Sequence, residues 1–252
     1  MFTDFDKVRQ IIDLHTCIQG EGKFTGVPHL LIRLSGCNLG CMFSEWLCDT
    51  AYASWKPESG KYNLNDVLKL ISDNTQINHT FITGGEPTIH PVILREIVNI
   101  LKANGHFVAI ETNGTSYVDC NIDFVTMSPK LSNSIPIPGT MIKNDIVDRL
   151  ATIEDRDKQS NGRYRPDSLL LWMEHKDYQF KFVCTTDEQL NEIEQIKTRL
   201  NIPKDHIYLM PEGVTAEQLQ RRRPWLIEKC IERGYNYTDR LHIVAYDNKR
   251  IA

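Results

Sequence analysis

No stretch of the sequence approaches the roughly 18 consecutive apolar residues of a membrane span. Residues 1–7 also place two acids where a secretory signal needs positive charge, so a cytoplasmic protein without membrane contact is expected. There is no excess of basic charge. Lys and Arg number 29 against 33 Asp and Glu, a net charge of −4, which argues against a cationic nucleic-acid module. Internal repeats, low-complexity tracts and Gly/Ser-rich linkers are missing too, so a single domain over 1–252 is the expectation. Cysteines are few and odd in number, seven, in a chain long enough to build its core without disulfides. Three of them, Cys37, Cys41 and Cys48, fall within twelve positions, a grouping that asks for a metal rather than a bridge.

What is there reads as α/β. Short apolar runs at 29–34, 80–83, 107–111, 124–127, 179–183 and 207–210 predict buried strands. Helical periodicity fills 65–72, 91–104, 186–200 and 216–233, the last with a break or kink expected at Pro224. Alternating strands and helices argue for a parallel sheet, open or curled toward a barrel, with ligands at the carboxyl ends of its strands. Four polar or Gly/Pro turns, at 83–87, 111–115, 128–130 and 210–213, would then share one rim. Residues 131–176 show no clean period and read as an irregular insertion with one short helix over 143–150.

The cysteine loop follows a strand directly. Structural zinc usually takes four ligands, whereas a four-iron cluster held by three thiolates keeps one iron open for substrate or cofactor. A zinc loop completed by a histidine, or three buried thiols, are the alternatives that spacing leaves open. Arg33 interrupts an otherwise apolar strand, where an unpaired charge is costly, so a carboxylate partner is expected. The run Arg221-Arg222-Arg223 reads as a solvated helix face.

The strand and cysteine-rich loop, followed by Gly84-Gly85-Glu86-Pro87 after the next strand, resemble the radical S-adenosylmethionine superfamily. Within it, Gln19-Gly20-Glu21-Gly22, Ile32-Arg33-Leu34 before Gly36-Cys37-Asn38, Cys48-Asp49-Thr50, Glu111-Thr112-Asn113-Gly114, Ser128-Pro129-Lys130 and Arg240-Leu241-His242 resemble, in order, the 7-carboxy-7-deazaguanine synthase family. The resemblance implies a modified, incomplete (β/α) barrel of the radical S-adenosylmethionine type. It implies a carbon–nitrogen lyase that converts 6-carboxy-5,6,7,8-tetrahydropterin to 7-carboxy-7-deazaguanine with loss of ammonia, a step in 7-deazapurine and queuosine biosynthesis. The implied cofactors are a 4Fe–4S cluster, S-adenosylmethionine and Mg²⁺. The implied partners are the small pterin, an external one-electron reductant such as a flavodoxin, and a second copy of the chain in a homodimer.

By the same resemblance Cys37, Cys41 and Cys48 ligate the cluster and Thr50 coordinates Mg²⁺. Gly85 and Glu86 meet the methionine amino group, Ser128, Pro129 and Lys130 hold the cofactor's carboxylate and ribose, and Met210, Pro211, Glu212 and Gly213 lie along its adenine. Glu111 and Asn113 complete that pocket. Ile18, Gln19, Gly20, Arg33 and Thr83 contact the pterin, and Glu21, Asp49 and His242 are the catalytic candidates. A glycyl-radical-activating enzyme would share the cluster residues but has no evident use for Gln19, Glu21, Arg33, Asp49 and Thr50 together; a non-catalytic zinc module is the remaining alternative.

Two departures stand out. The superfamily's usual C-x3-C-x2-C spacing would put the third ligand at Ser44, yet the Asp-Thr pair that should follow it stands after Cys48. An insertion of four residues accounts for both facts and leaves Ser44 a bystander. In the family the terminal carboxylate reaches the substrate; here Ala252 lies ten residues beyond His242 and is given no role.

Overall fold

The structure is a computed structural model that describes residues 10–43, 47–175, 177–247 and 249–250. Its strands are β1 (Ile11–Ile18), β2 (Pro28–Leu34), β3 (His79–Gly84), β4 (Phe107–Thr112), β5 (Phe124–Met127), β6 (Met141–Lys143), β7 (Asp148–Leu150), β8 (Tyr178–Val183), β9 (Ile207–Met210) and β10 (Asn236–Tyr237). Eight of them form one sheet in the order β1-β2-β3-β4-β5-β8-β9-β10. All neighbours are parallel except β1, which pairs antiparallel with β2. Among the described residues the two edge strands do not pair, so the sheet is an incomplete barrel, as expected. The turn after β1 spans part of the gap: Gly22 N donates to Thr238 Oγ1 (2.6 Å), Lys23 N to Gln179 Oε1 (2.9 Å), and Leu241 N to Gly20 O (2.9 Å).

The helices are α1 (Ala51–Ser54), α2 (Leu64–Asp73), α3 (Pro91–Ala103), α4 (Ile153–Gly162), α5 (Pro166–Met173), α6 (Asp187–Leu200), α7 (Ala216–Arg233) and α8 (Leu241–Tyr246). Their starts are written locally: Asn63 and Asp66 form a capping box on α2, and Thr215 and Gln218 do so on α7. The strand period of two divides the sheet's faces. Ile32, Ile82, Val108, Ile110, Val125, Phe180, Phe182 and Leu209 enter the main core with Leu94, Ile97, Leu101, Leu190 and Ile193 of α3 and α6. Leu31, Phe81, Ala109 and Phe124 turn the other way and, with Phe24 and Phe107, plug the inner face. Further along the same face, Arg33, Thr83, Glu111 and Lys181 on the strands and Ser128 just after β5 are polar and line a cavity.

Two expectations are corrected and one strand is added. Residues 143–150 form the turn and second strand of the β6–β7 hairpin instead of a helix, and the helices of the 131–176 segment are α4 and α5. Asn144 accepts from the amides of Ile146 and Val147, a side-chain turn that closes the hairpin. Helix α7 runs unbroken through Pro224, because Gln220, whose carbonyl loses its amide partner there, is exposed to water. Strand β1 was not legible as a strand, since Asp13, His15 and Cys17 alternate toward the cavity and break its apolar run.

Candidate active site

The four turns that close β3, β4, β5 and β9 line one cavity together with the ends of β2 and β8, the cysteine loop, the turn after β1 and the start of α8. Every site residue expected from the sequence borders it except Pro129, which is buried beside it. Ser44 and Ala252 lie outside the described residues.

Cys37, Cys41 and Cys48 all face this cavity. Met42 and Leu47 bridge antiparallel, and Cys48 N donates to Cys41 O (3.2 Å), so the chain doubles back and returns Cys48 beside Cys41 despite the longer loop. Burial raises all three thiols, Cys41 to about 11, so binding a metal there would displace protons. No three Cys, His, Asp or Glu side chains among the described residues close on a single metal ion. Three thiols on one cavity suit a polynuclear cluster, whose cysteines bind separate irons. Each sulfur also has a polar neighbour: Leu39 N at 3.4 Å from Cys37 Sγ, Gln159 Nε2 at 3.3 Å from Cys41 Sγ, and Thr50 Oγ1 at 3.4 Å from Cys48 Sγ. The residues fit a three-thiolate cluster.

The Gly84-Gly85-Glu86 turn is strapped to this loop. Gly85 N donates to Leu34 O (3.0 Å), Glu86 N to Gly36 O (2.8 Å), and Gly36 N to Ala53 O (2.8 Å). A Cβ on Gly85 would stand 2.3 Å from Gly36 O and 2.4 Å from Ala53 O, backbone on both sides. Gly85→Ala is therefore expected to cost ~3 kcal/mol, at the upper end of overpacking effects, read as a lowered Tm together with reduced iron content. Glu86 is fully buried, and its carboxylate accepts from Thr88 N, Thr88 Oγ1, Thr112 Oγ1 and Asn113 N. Burial outweighs these four bonds and raises its pKa. The carboxylate thus braces the turns of β3 and β4 while bordering the cavity. Asn113 Nδ2 in turn donates to Asn38 Oδ1 (3.0 Å), tying the β4 turn to the cysteine loop.

A chain of alternating charges crosses the floor of the cavity. Lys181, from the middle of β8, pairs with both Glu111 and Glu21; Arg240 pairs with Glu21 and Asp49; His242 Nε2 lies 3.7 Å from Glu21. Burial by itself would raise the Glu21 carboxyl, but the Lys181 and Arg240 charges outweigh it and hold the group well below its ordinary value. Asp49 is lowered too, since its Arg240 partner overcomes burial. The two cations are raised, their carboxylates outweighing desolvation. Burial lowers His242, which favours the neutral imidazole. Gly20 sets that ring's position, because any Cβ there would fall 2.3 Å from His242 Nδ1.

Arg33 has the carboxylate that its strand context demanded, and it comes from the chain: Asp13 Oδ2 at 2.9 Å from Nε. Asp13 also pairs with Arg250 (2.6 Å) and accepts from Tyr52 Oη (2.9 Å). Lys130 Nζ donates to Ser128 Oγ (2.9 Å). The arginine run of α7 is only partly a solvated face. Arg221 pairs with Glu217 on the surface, while Arg222 donates to Glu212 O (2.5 Å) and Arg223 pairs with Asp239 (2.7 Å), both within site loops. Sequence reasoning missed Lys181, Arg240 and Gln159 as site residues. Lys181 carried the signal that singled out Arg33, a charge inside an apolar strand; Gln159 carried none.

Residues 31–155 match the model of the radical SAM superfamily. The chain is 39% identical over 236 residues to the 7-carboxy-7-deazaguanine synthase of Rhodopirellula baltica, covering 92% of this chain and 84% of that one. It is 33% identical over 244 residues to the synthase of the same name from Halobacterium salinarum, covering 94% and 90%. Among solved structures it resembles QueE from Escherichia coli with a TM-score of 0.66 and 26% identity, over 93% of this chain and 94% of that one.

Proposed function

Since this chain belongs to the 7-carboxy-7-deazaguanine synthase family of radical S-adenosylmethionine enzymes, we infer that its cavity is where 6-carboxy-5,6,7,8-tetrahydropterin is rearranged to 7-carboxy-7-deazaguanine. The reaction contracts a ring and loses ammonia, in the route to queuosine and related 7-deazapurines, and the cofactors are a 4Fe–4S cluster, S-adenosylmethionine and Mg²⁺. When bound, the cluster and S-adenosylmethionine supply one-electron chemistry that generates a carbon radical able to take a hydrogen atom from the substrate. An external reductant is required.

The observation that carries the reading is the meeting, in one cavity, of the three-cysteine loop with the buried charge chain of Lys181 and Arg240. Cys37, Cys41 and Cys48 are the proposed cluster ligands. The main chain at Gly85 presents the approach for the cofactor's amino acid moiety, Ser128 and Lys130 its polar contacts, and 210–213 the wall for its base. Thr50 would offer its hydroxyl to Mg²⁺, a hard ion that keeps most of its waters. On the pterin side, Ile18, Gln19, Gly20 and Thr83 would shape the pocket, with Arg33 and Arg250 supplying positive charge for a carboxylate. Glu21, held ionised by two cations, acts as acceptor for the pterin's N–H groups, and the neutral His242 beside it can pass a proton during ammonia loss. Asp49, locked by Arg240, orients either the substrate or a metal-bound water.

A homodimer acting on free pterin in the cytoplasm completes the proposal, supported by the family's behaviour and by seven unpaired thiols that suit a reducing compartment. The net charge of −4 supports a small-molecule substrate over a nucleic acid. No helix among the described residues is long and apolar enough to cross a membrane. Anaerobic incubation of reconstituted protein with S-adenosylmethionine, Mg²⁺, a strong reductant and the carboxytetrahydropterin, followed by mass spectrometry, tests the reading. The expected product is 7-carboxy-7-deazaguanine; 5′-deoxyadenosine alone would mean a different substrate, and neither product from cluster-loaded protein would sink the assignment.

A further inference from the structure

The 131–176 segment packs on the lengthened cysteine loop. Ile142 and Ala151, from and beside the β6–β7 hairpin, share a small apolar core with Met42, Leu47 and Ala51. Met42 N donates to Ser134 O (3.0 Å). From α4 of the same segment comes Gln159, fully buried in an otherwise polar helix with little else to bury.

The hydrogen-bond partners fix which way its amide points. Gly40 N–H can only donate, so Gln159 Oε1 accepts it (2.9 Å). Nε2 then has two hydrogens for two neighbours, Ser134 Oγ (2.9 Å) and Cys41 Sγ (3.3 Å). Ser134 Oγ gives its own hydrogen to Leu131 O (2.7 Å) and so accepts from the amide. The remaining N–H is directed at sulfur. The polar neighbours of Cys37 and Cys48 lie two residues away in their own loop, whereas Gln159 is 118 positions from Cys41.

We propose that Gln159 is a positioning residue that raises the reduction potential of the iron–sulfur cluster by donating an N–H to the Cys41 sulfur. The inference rests on Cys41 being a cluster ligand. An N–H aimed at a cluster sulfur stabilises the more negative, reduced state over the oxidised one, and burial strengthens the effect. Through this contact the inserted segment becomes part of the redox centre.

The test is an EPR-monitored redox titration of reconstituted protein without substrate, alongside iron analysis. In Gln159→Leu the ratio of reduced to oxidised cluster at a fixed potential is expected to fall about tenfold, equivalent to 59 mV for a one-electron couple. Gln159→Glu keeps an acceptor for Gly40 and replaces the donor by a carboxylate oxygen; its fall is expected to be at least as large. Ser134→Ala alters the far side of the amide and is expected to leave the potential unchanged. A fully loaded Gln159→Leu or Gln159→Glu with the parent potential overturns the proposal. So does failure of both variants to hold a cluster where Ser134→Ala succeeds, since Gln159 would then only hold the loop. Failure of the underlying reading is separate: parent protein that takes up no 4Fe–4S cluster, or Cys41→Ala that loads fully.

Discussion

Cys48→Ala is expected to abolish cluster assembly and all turnover, while Ser44→Ala keeps both at the parent level. A three-thiolate cluster has no spare protein ligand, so loss of one thiol removes an iron's only tether. The choice of Cys48, made on the Asp-Thr pair that follows it, is supported by the loop's geometry. The Met42–Leu47 bridge and the Cys48 N to Cys41 O bond bring Cys48 back to the cavity next to Cys41. Asp49 and Thr50 then follow the ligand, Asp49 held by Arg240 and Thr50 against the Cys48 sulfur. Iron and sulfide content with the charge-transfer absorbance near ~400 nm reads the outcome. A brown, loaded Cys48→Ala and an iron-free Ser44→Ala would reverse the assignment.

Lys181→Met is expected to cost about 3–5 kcal/mol of stability, the range for breaking a buried ion pair by removing one partner. Methionine matches the volume of the lysine stem but leaves Glu111 without its cation and Glu21 with Arg240 alone. The pH dependence separates this mechanism from simple packing loss. In the parent, Glu21 is depressed below its ordinary 4.5, so its contribution is fully present above that value and is lost as the pH falls through the lower folded value. In the variant, desolvation of Glu21 is opposed by less positive charge, and its carboxyl is expected to titrate upward. Such groups destabilise the fold most at high pH, so the Tm deficit of Lys181→Met should narrow as the buffer is taken from about pH 8 to about pH 5.5. A deficit independent of pH would mean that Lys181 acts through packing alone.

Much of this protein follows from local pattern. Six parallel strands and four long helices were legible because strand alternation, helical periodicity and capping residues are properties of contiguous sequence, and Phe124–Met127, Ile207–Met210 and Ala216–Arg233 fall where that pattern places them. The cluster loop and the rim turns were legible for the same reason, since iron ligands and tight turns need particular residue types at short spacing. The 131–176 segment resisted because its buried residues are divided: Ile142, Ala151 and Gln159 serve a loop some 100 positions away while Leu131, Leu169 and Trp172 join the main core, so no single period appears within it.

The sequence alone therefore determined the family, the order of the rim turns and the grouping of three cysteines in one loop. Tertiary structure alone decided the antiparallel seating of β1, the engagement of Glu86 with Thr88, Thr112 and Asn113, the chain from Glu111 through Lys181, Glu21 and Arg240 to Asp49, and the contact of Gln159 with Cys41. The physical reason is that a buried charge or amide is tolerated only where distant segments complete its bonds, and those partners, from 26 to 219 positions apart for all but the Thr88 contact, are chosen by packing and leave no mark on any single stretch of chain.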